Sequence, residues 1–324
     1  MNNVNKMTQQ LAALSADGVN LGTRELLFYQ SYTKLLDMSP LSKVKAHLSG
    51  GYVSAIKGRG MEFDEARHYQ AGDDIRAIDW RVTARTGKTH TKIYREERER
   101  PVFILCDASN SMKFGTQLFL KSVQAAHFAS LLGWTAVNRG DKLGAILFND
   151  NDHIEIKPKS RKKAALALFH GLTSVHSQAS TSAAETSANK ENVFEQSLMR
   201  LRRLAKPGSL VYILSDFEQL NETCSKYISD IHRHCEVHAI DIFDPIEITL
   251  PASAKGRRLS LKSAFSSETV TLGSAASHNA YSKERAKKQQ RLDSLLMPYV
   301  NQYLPISAGE FLLDQIKTHS GIPK

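Results

Sequence analysis

Residues 102–112 read VFILCDASNSM, an apolar run that ends in Asp107, Ser109 and Ser111, one carboxylate and two hydroxyls at alternate positions. Such a set offers oxygen ligands with little charge. It suits a hard cation, Mg2+ or Mn2+, that keeps some of its waters and leaves a position open for a carboxylate supplied from elsewhere. A second carboxylate, Asp216, follows another short apolar run at 210–214. Catalysis by the same residues would take a different form, with Asp107 as a nucleophile in Mg-dependent phosphoryl transfer. That chemistry calls for a second acid, and Ser109 stands where an Asp-x-Asp pair would place it.

These side chains need elements that bring them to one edge. An apolar run after Pro101 reads as a buried strand over 102–106, so Asp107 falls at its carboxyl end, where open parallel sheets bind ligands. The pattern then alternates. Residues 116–137 are apolar on nearly all sides and read as a buried helix, Gly140-Asp141 as a turn, and 143–148 as a second strand. An extended stretch at 153–156 precedes a helix at 164–172. A polar loop follows at 177–190, and then a helix at 193–205 opened by Asn192 and Glu195. Strands at 210–214 and 236–243 flank a helix near 223–231. Strand and helix in alternation predict an α/β fold with a mostly parallel, Rossmann-like sheet and helices on both faces.

The ends depart from this rhythm. Residues 1–20 are polar or weakly amphipathic and predict a mobile N-terminus. Residues 21–100 form a segment ahead of the sheet, 101–245 the α/β domain, and 246–324 an extension packed on the sheet. Within that extension the pattern predicts a hairpin from 258–261 and 268–272, a basic helix over 279–296, and a last helix over 311–318 capped by Ser307 and Glu310. In the segment before the sheet, Arg76, Asp79, Arg81 and Arg85 lie beside Ile78 and Trp80. The pattern predicts ion pairs laid across an apolar ridge, which either ties the segment down or presents a surface to a partner.

Composition narrows the function. The formal charge of the 324 residues is +10, which invites a nucleic-acid reading, but the excess is scattered and lacks interleaved aromatic residues that would stack on bases. No apolar run reaches the roughly 18 residues needed to cross a bilayer, and no signal-peptide order opens the chain, which predicts a cytoplasmic protein. Cys106, Cys224 and Cys235 are too few and too scattered for a disulfide framework. His232, His234, Cys235 and His238 straddle a helix end and a strand start, so few of them could converge on a zinc ion. Gly87-Lys88-Thr89 resembles the end of a P-loop, but Val82 stands where its first glycine belongs.

The string GRGMEFDEARHYQAGDDIRAIDWRVTARTGKTHTKIYREERERPVFILCDASNSM resembles the signature of the bacterial domain of unknown function 58 family, and LSDF at 214–217 and DPIEITLP at 244–251 extend the resemblance over roughly residues 50–250. It implies a von Willebrand factor A-like domain with a metal-ion-dependent adhesion site. Asp107, Ser109 and Ser111 match that site's first motif and Asp216 its last acidic position. Where family members often carry Thr-Asp this chain has Glu191-Asn192, leaving Thr181, Thr186, Ser187 or a partner to supply the missing oxygen. Members are often encoded beside MoxR-type AAA+ ATPases. The resemblance therefore implies a non-enzymatic adaptor or chaperone-like partner of such an ATPase, acting on an unknown client.

Overall fold

The computed structural model describes residues 2–36, 38, 61–70, 72–96, 100–181, 192–248, 258–262, 267–271 and 275–319. The chain divides into two compact units, one built from 1–39 and 101–324, the other from 40–100.

The larger unit is organised by a sheet that holds β3 (Pro101–Asp107), β4 (Lys142–Phe148), β5 (His153–Lys159), β6 (Leu210–Ser215), β7 (Glu236–Phe243) and β10 (Gln302–Ser307) in the order β10-β7-β6-β3-β4-β5. Only β5 runs antiparallel to its neighbour. This is the mostly parallel Rossmann-like sheet that strand and helix alternation predicts. Consecutive strands depart in opposite directions from β3 and β6, so these two adjacent strands form the topological switch point, and their carboxyl ends flank the crevice where such sheets take ligands.

Alternation along β3 divides the core in two. Val102, Ile104 and Cys106 point to one layer, with α4 (Lys121–Asn138) and α5 (Lys162–Thr181). Phe103 and Leu105 point to the other, with α6 (Val193–Leu204), α7 (Glu222–His232) and Leu292 of α9 (Ala275–Leu295). The helix expected from 116 starts only at Lys121, because Asp244 accepts hydrogen bonds from the Thr116 amide (2.7 Å) and hydroxyl (2.5 Å) and holds that stretch out of the helix. The first residues of the polar loop expected from 177 are instead helical. α5 runs on to Thr181, and residues 182–191 lie outside those described.

Both ends join this unit more closely than the sequence indicates. The N-terminus expected to be mobile forms α1 (Asn2–Leu14), whose Leu14 is buried in the core. The chain then turns at Gly18, where a Cβ would collide with the Leu118 carbonyl, into α2 (Thr23–Phe28). Here α2 satisfies polar groups of the buried α4. Glu25 pairs with His127 at 2.9 Å, and the Leu26 carbonyl accepts from Ser130 Oγ (2.6 Å) and Trp134 Nε1 (3.2 Å). The boundary expected at residue 21 is therefore displaced, since the chain through Ser39 belongs with the sheet. At the other end, the extension supplies β10 to the sheet edge itself. Ser307 ends that strand, and Gln315 of α10 (Leu312–His319) brackets its N–H (2.7 Å) and C=O (2.9 Å) in place of the expected capping box. β8 (Arg258–Lys262) and β9 (Ser267–Thr271) form the expected antiparallel hairpin.

The smaller unit holds the antiparallel pair β1 (Met61–His68) and β2 (His90–Glu96), with α3 (Trp80–Thr86) between them in sequence. Asp73-Asp74 forms a turn: Asp73 accepts from the Gln70 N–H at 2.9 Å and pairs with Arg67 at 2.6 Å.

Leu26 is fully buried, and emptying its site leaves a cavity between α2 and α4. Leu26→Ala should therefore cost about 2–5 kcal/mol in urea denaturation. A loss below about 0.5 kcal/mol, the range of a surface substitution, would show that the N-terminal segment is not part of the core.

Candidate metal and partner site

The carboxyl end of β3 turns directly into the loop that carries the hydroxyls. Asp107 is buried and has both oxygens engaged: Oδ1 accepts from the Ser109 N–H at 2.8 Å and Oδ2 from Ser215 Oγ at 2.6 Å. Ser109 Oγ lies 3.2 Å from Ser111 Oγ. The loop is held from the β4 side as well, by Ala108 N–H to the Phe148 carbonyl (2.8 Å) and Asn110 N–H to Asp150 (2.7 Å).

Asp216 follows β6. The chain turns sharply after it, and Phe217 takes a left-handed conformation (φ 54°) although its ring is fully buried. Such backbone in a bulky residue persists only where the surroundings enforce it. Asp216 Oδ1 accepts from the Glu218 N–H at 3.1 Å, and Oδ2 accepts from Lys121 Nζ at 2.8 Å. Lys121, only 1% exposed, also donates to Glu247 Oε1 at 2.7 Å. Glu247 lies on the short α8 (Pro245–Ile248), and its other oxygen accepts from the Asp244 N–H at 3.0 Å.

Charge in this edge is distributed unequally. Burial, and then the neighbouring Asp216, pushes the Asp107 carboxyl up to about 7. Asp216 moves the other way: burial opposes its ionisation, but Lys121 and Lys288 outweigh burial and hold it below the usual carboxylate range. Burial likewise works against the charge on Lys121, and Asp216 and Glu247 overcome it, so the ammonium persists beyond the ordinary lysine range. Burial also raises Asp241, one strand further along, to about 6.

Three of the four ligands named from sequence fit a hard cation. The hydroxyl separation is close to the roughly 2.9 Å between adjacent ligands of an octahedral Mg2+ at about 2.05 Å, and each Asp107 oxygen keeps a lone pair beyond the one its hydrogen bond uses. Asp216 fits less well, because the Lys121 ammonium already sits on its Oδ2 and would stand beside any dication bound there. Thr186 and Ser187, which could supply a further oxygen, lie outside the described residues, and Thr181 ends α5. Lys121, Ser215 and Glu247 were not among the sequence candidates. The signal for Lys121 was available: a lysine opens a helix that is otherwise apolar on nearly all sides.

The other candidates separate. His238 pairs with Glu236 (2.9 Å), His234 lies 3.4 Å from the Ala205 carbonyl, and Cys235 donates to the Lys206 carbonyl. No group of three or more His, Cys, Asp or Glu is placed to hold a metal among the described residues. In the smaller unit, Asp79 caps α3 by accepting from the Arg81 and Val82 amides (3.0 and 3.2 Å), and Lys92 lies 3.8 Å from it. Arg76, Arg81 and Arg85 are exposed, as are Trp80 (67%) and Ile75 (66%), and together they make a mixed apolar and cationic surface.

A proton binds Asp107 more tightly in the folded chain than in the unfolded one. Its contribution to stability is thus fully present below about pH 4 and is lost as pH rises toward 7. Asp107→Asn cannot titrate, so the stability difference between variant and wild type should shift in the variant's favour by on the order of 1–3 kcal/mol between pH 4 and pH 7.5 in urea melts. Parallel profiles for the two proteins would contradict this.

With the geometry in place, comparison identifies relatives. Uncharacterized proteins of Mycobacterium bovis and Mycobacterium tuberculosis are 28% identical over 218 residues, 67% of this chain, and the match spans 66% of their own length. Among solved structures, the chain is similar to the conserved hypothetical protein BatB of Bacteroides thetaiotaomicron (14% identity, TM-score 0.39, covering 68% of this chain and 96% of that one). It is also similar to the SpRpn10 VWA domain (10% identity, TM-score 0.36, covering 68% and 95%). The family described as Protein of unknown function DUF58 matches residues 65–291, most of the chain, and the chain belongs to that family.

Proposed function

We propose that this chain is a non-enzymatic protein-interaction module, an adaptor or chaperone-like partner of a MoxR-type AAA+ ATPase, whose contact edge holds Mg2+ or Mn2+ through Asp107, Ser109 and Ser111. The observation that carries the reading is the paired Ser109 and Ser111 hydroxyls beside Asp107 at the switch point of the sheet. The MoxR-type partner itself rests on the family resemblance. A bound ion would supply positive charge with open positions for a partner's carboxylate oxygen.

The protein's own residues do the positioning. Ser215 Oγ and the Ser109 N–H fix the Asp107 carboxylate from two sides, and Asp150 fixes the loop through Asn110. The same engagement argues against Asp107 as a nucleophile, since a buried carboxylate hydrogen-bonded through both oxygens has little freedom to attack phosphorus. Trp80 and Ile75 with Arg76, Arg81 and Arg85 offer a second surface, suited to an acidic, partly apolar partner. The proposed setting is the cytoplasm; no helix among the described residues is long and apolar enough to cross a membrane.

Two experiments test the proposal. Calorimetric titration of Mn2+ should give a weak isotherm for wild type that Asp107→Ala abolishes, whereas identical traces for both proteins would remove the metal from the account. Capture of a MoxR-type ATPase by the tagged chain should fall at least several-fold with chelator, and with Trp80→Ala, which should leave folding stability within about 0.5 kcal/mol. Unchanged capture in both cases would contradict the proposed contact surfaces. Phosphatase turnover abolished by Asp107→Asn would replace the adaptor reading with an enzymatic one.

A further inference from the structure

We propose that Lys121 is a resident cation that occupies Asp216 and thereby sets the divalent-metal affinity of the site, so that metal is held by the Asp107–Ser111 loop without Asp216. This deepens the reading above and rests on that loop being the cation-binding element.

The first support is occupancy. Asp216 Oδ2 receives the Lys121 ammonium at 2.8 Å while Oδ1 receives the Glu218 N–H at 3.1 Å, so a dication that recruited Asp216 would have to stand against that ammonium or displace it. The second is that Lys121 cannot easily be displaced. Its side chain is 1% exposed, it opens a helix buried through Ala136, and a second carboxylate, Glu247, holds the same nitrogen at 2.7 Å. Glu247 is itself tied to the Asp244 N–H, and Asp244 to Thr116, so the lysine closes a chain of contacts that joins the 116–120 stretch, α8 and the end of β6. A metal that took its place on Asp216 would leave the buried ammonium with one of its two carboxylates and close to a dication, a costly arrangement in a protein interior. The third is charge. A lysine beside the site already neutralises one of its carboxylates, which lowers the electrostatic gain available to an incoming dication.

Mn2+ binding to the full chain, followed by electron paramagnetic resonance of the free ion, tests this with three variants. Asp216→Asn keeps the shape and an acceptor for Lys121, and its dissociation constant should stay within about twofold of wild type. Lys121→Met releases Asp216 and should tighten Mn2+ binding at least tenfold, a gain that Lys121→Met/Asp107→Ala should lose. Weakening beyond twofold by Asp216→Asn, or tightening of less than tenfold by Lys121→Met, overturns the inference while leaving an Asp107-dependent metal site intact. Absence of binding in wild type and in every folded variant overturns the metal reading and this inference together. If Lys121→Met does not fold, Asp216→Asn decides the question by the same twofold limit.

Discussion

A buried ammonium between two carboxylates is the constraint on which the ligand edge of this protein depends. Removing an ion from water costs several kcal/mol even after the protein relaxes, and Lys121 recovers that cost through contacts at 2.8 and 2.7 Å with Asp216 and Glu247. Each partner lies on a different element: the lysine opens α4, Asp216 follows β6, and Glu247 sits on α8. A short helix such as α8 has little stability of its own, and the ion pair with the Asp244–Thr116 contacts supplies what its four residues cannot. The same solution recurs lower on α4, where His127 meets Glu25, so polar residues spaced along a buried helix are each answered by a segment from elsewhere in the chain.

Topology explains why the candidate ligands gather where they do. Strands added outward from β3 in one direction and from β6 in the other leave their carboxyl ends adjacent, and Asp107 and Asp216 follow from the ends of those two strands. Ser215, the last residue of β6, reaches across to Asp107, so neighbouring strands position one another's side chains. The two carboxylates then diverge in character. One is raised by burial and by its neighbour; the other is held ionised by lysines. Under the proposed metal reading, a pair of equal carboxylates would favour a tightly held dication, whereas this unequal pair would leave the loop to engage an ion lightly with room for a partner's oxygen.

Much of the sheet was legible because its strands are short apolar runs bounded by breakers, and a parallel sheet buried on both faces leaves that mark in any sequence. The edges were less legible. β10 reads QYLPIS, with a proline and polar ends, because an edge strand is buried less completely than the strands it flanks. The N-terminal helix is weakly amphipathic in sequence, and its role emerges only from the polar residues of α4 that its neighbour α2 satisfies. Asp107, Ser109 and Ser111 were legible as a string because they are contiguous. The engagement of Asp216 was not, since Lys121 lies 95 residues upstream of it, and no local pattern records a contact of that kind. Arg76, Arg81 and Arg85 were legible as charge beside apolar residues, while the part Asp79 plays in capping α3 emerges only once that helix is formed.

The most direct measurement is a crystal structure of the full chain soaked in Mn2+, with the ion located by its anomalous scattering. The expected result is a peak ligated by Ser109, Ser111 and Asp107, with Lys121 Nζ still on Asp216. A peak bonded directly to Asp216, with Lys121 displaced from it, would contradict the role of the buried lysine as the resident cation of that carboxylate.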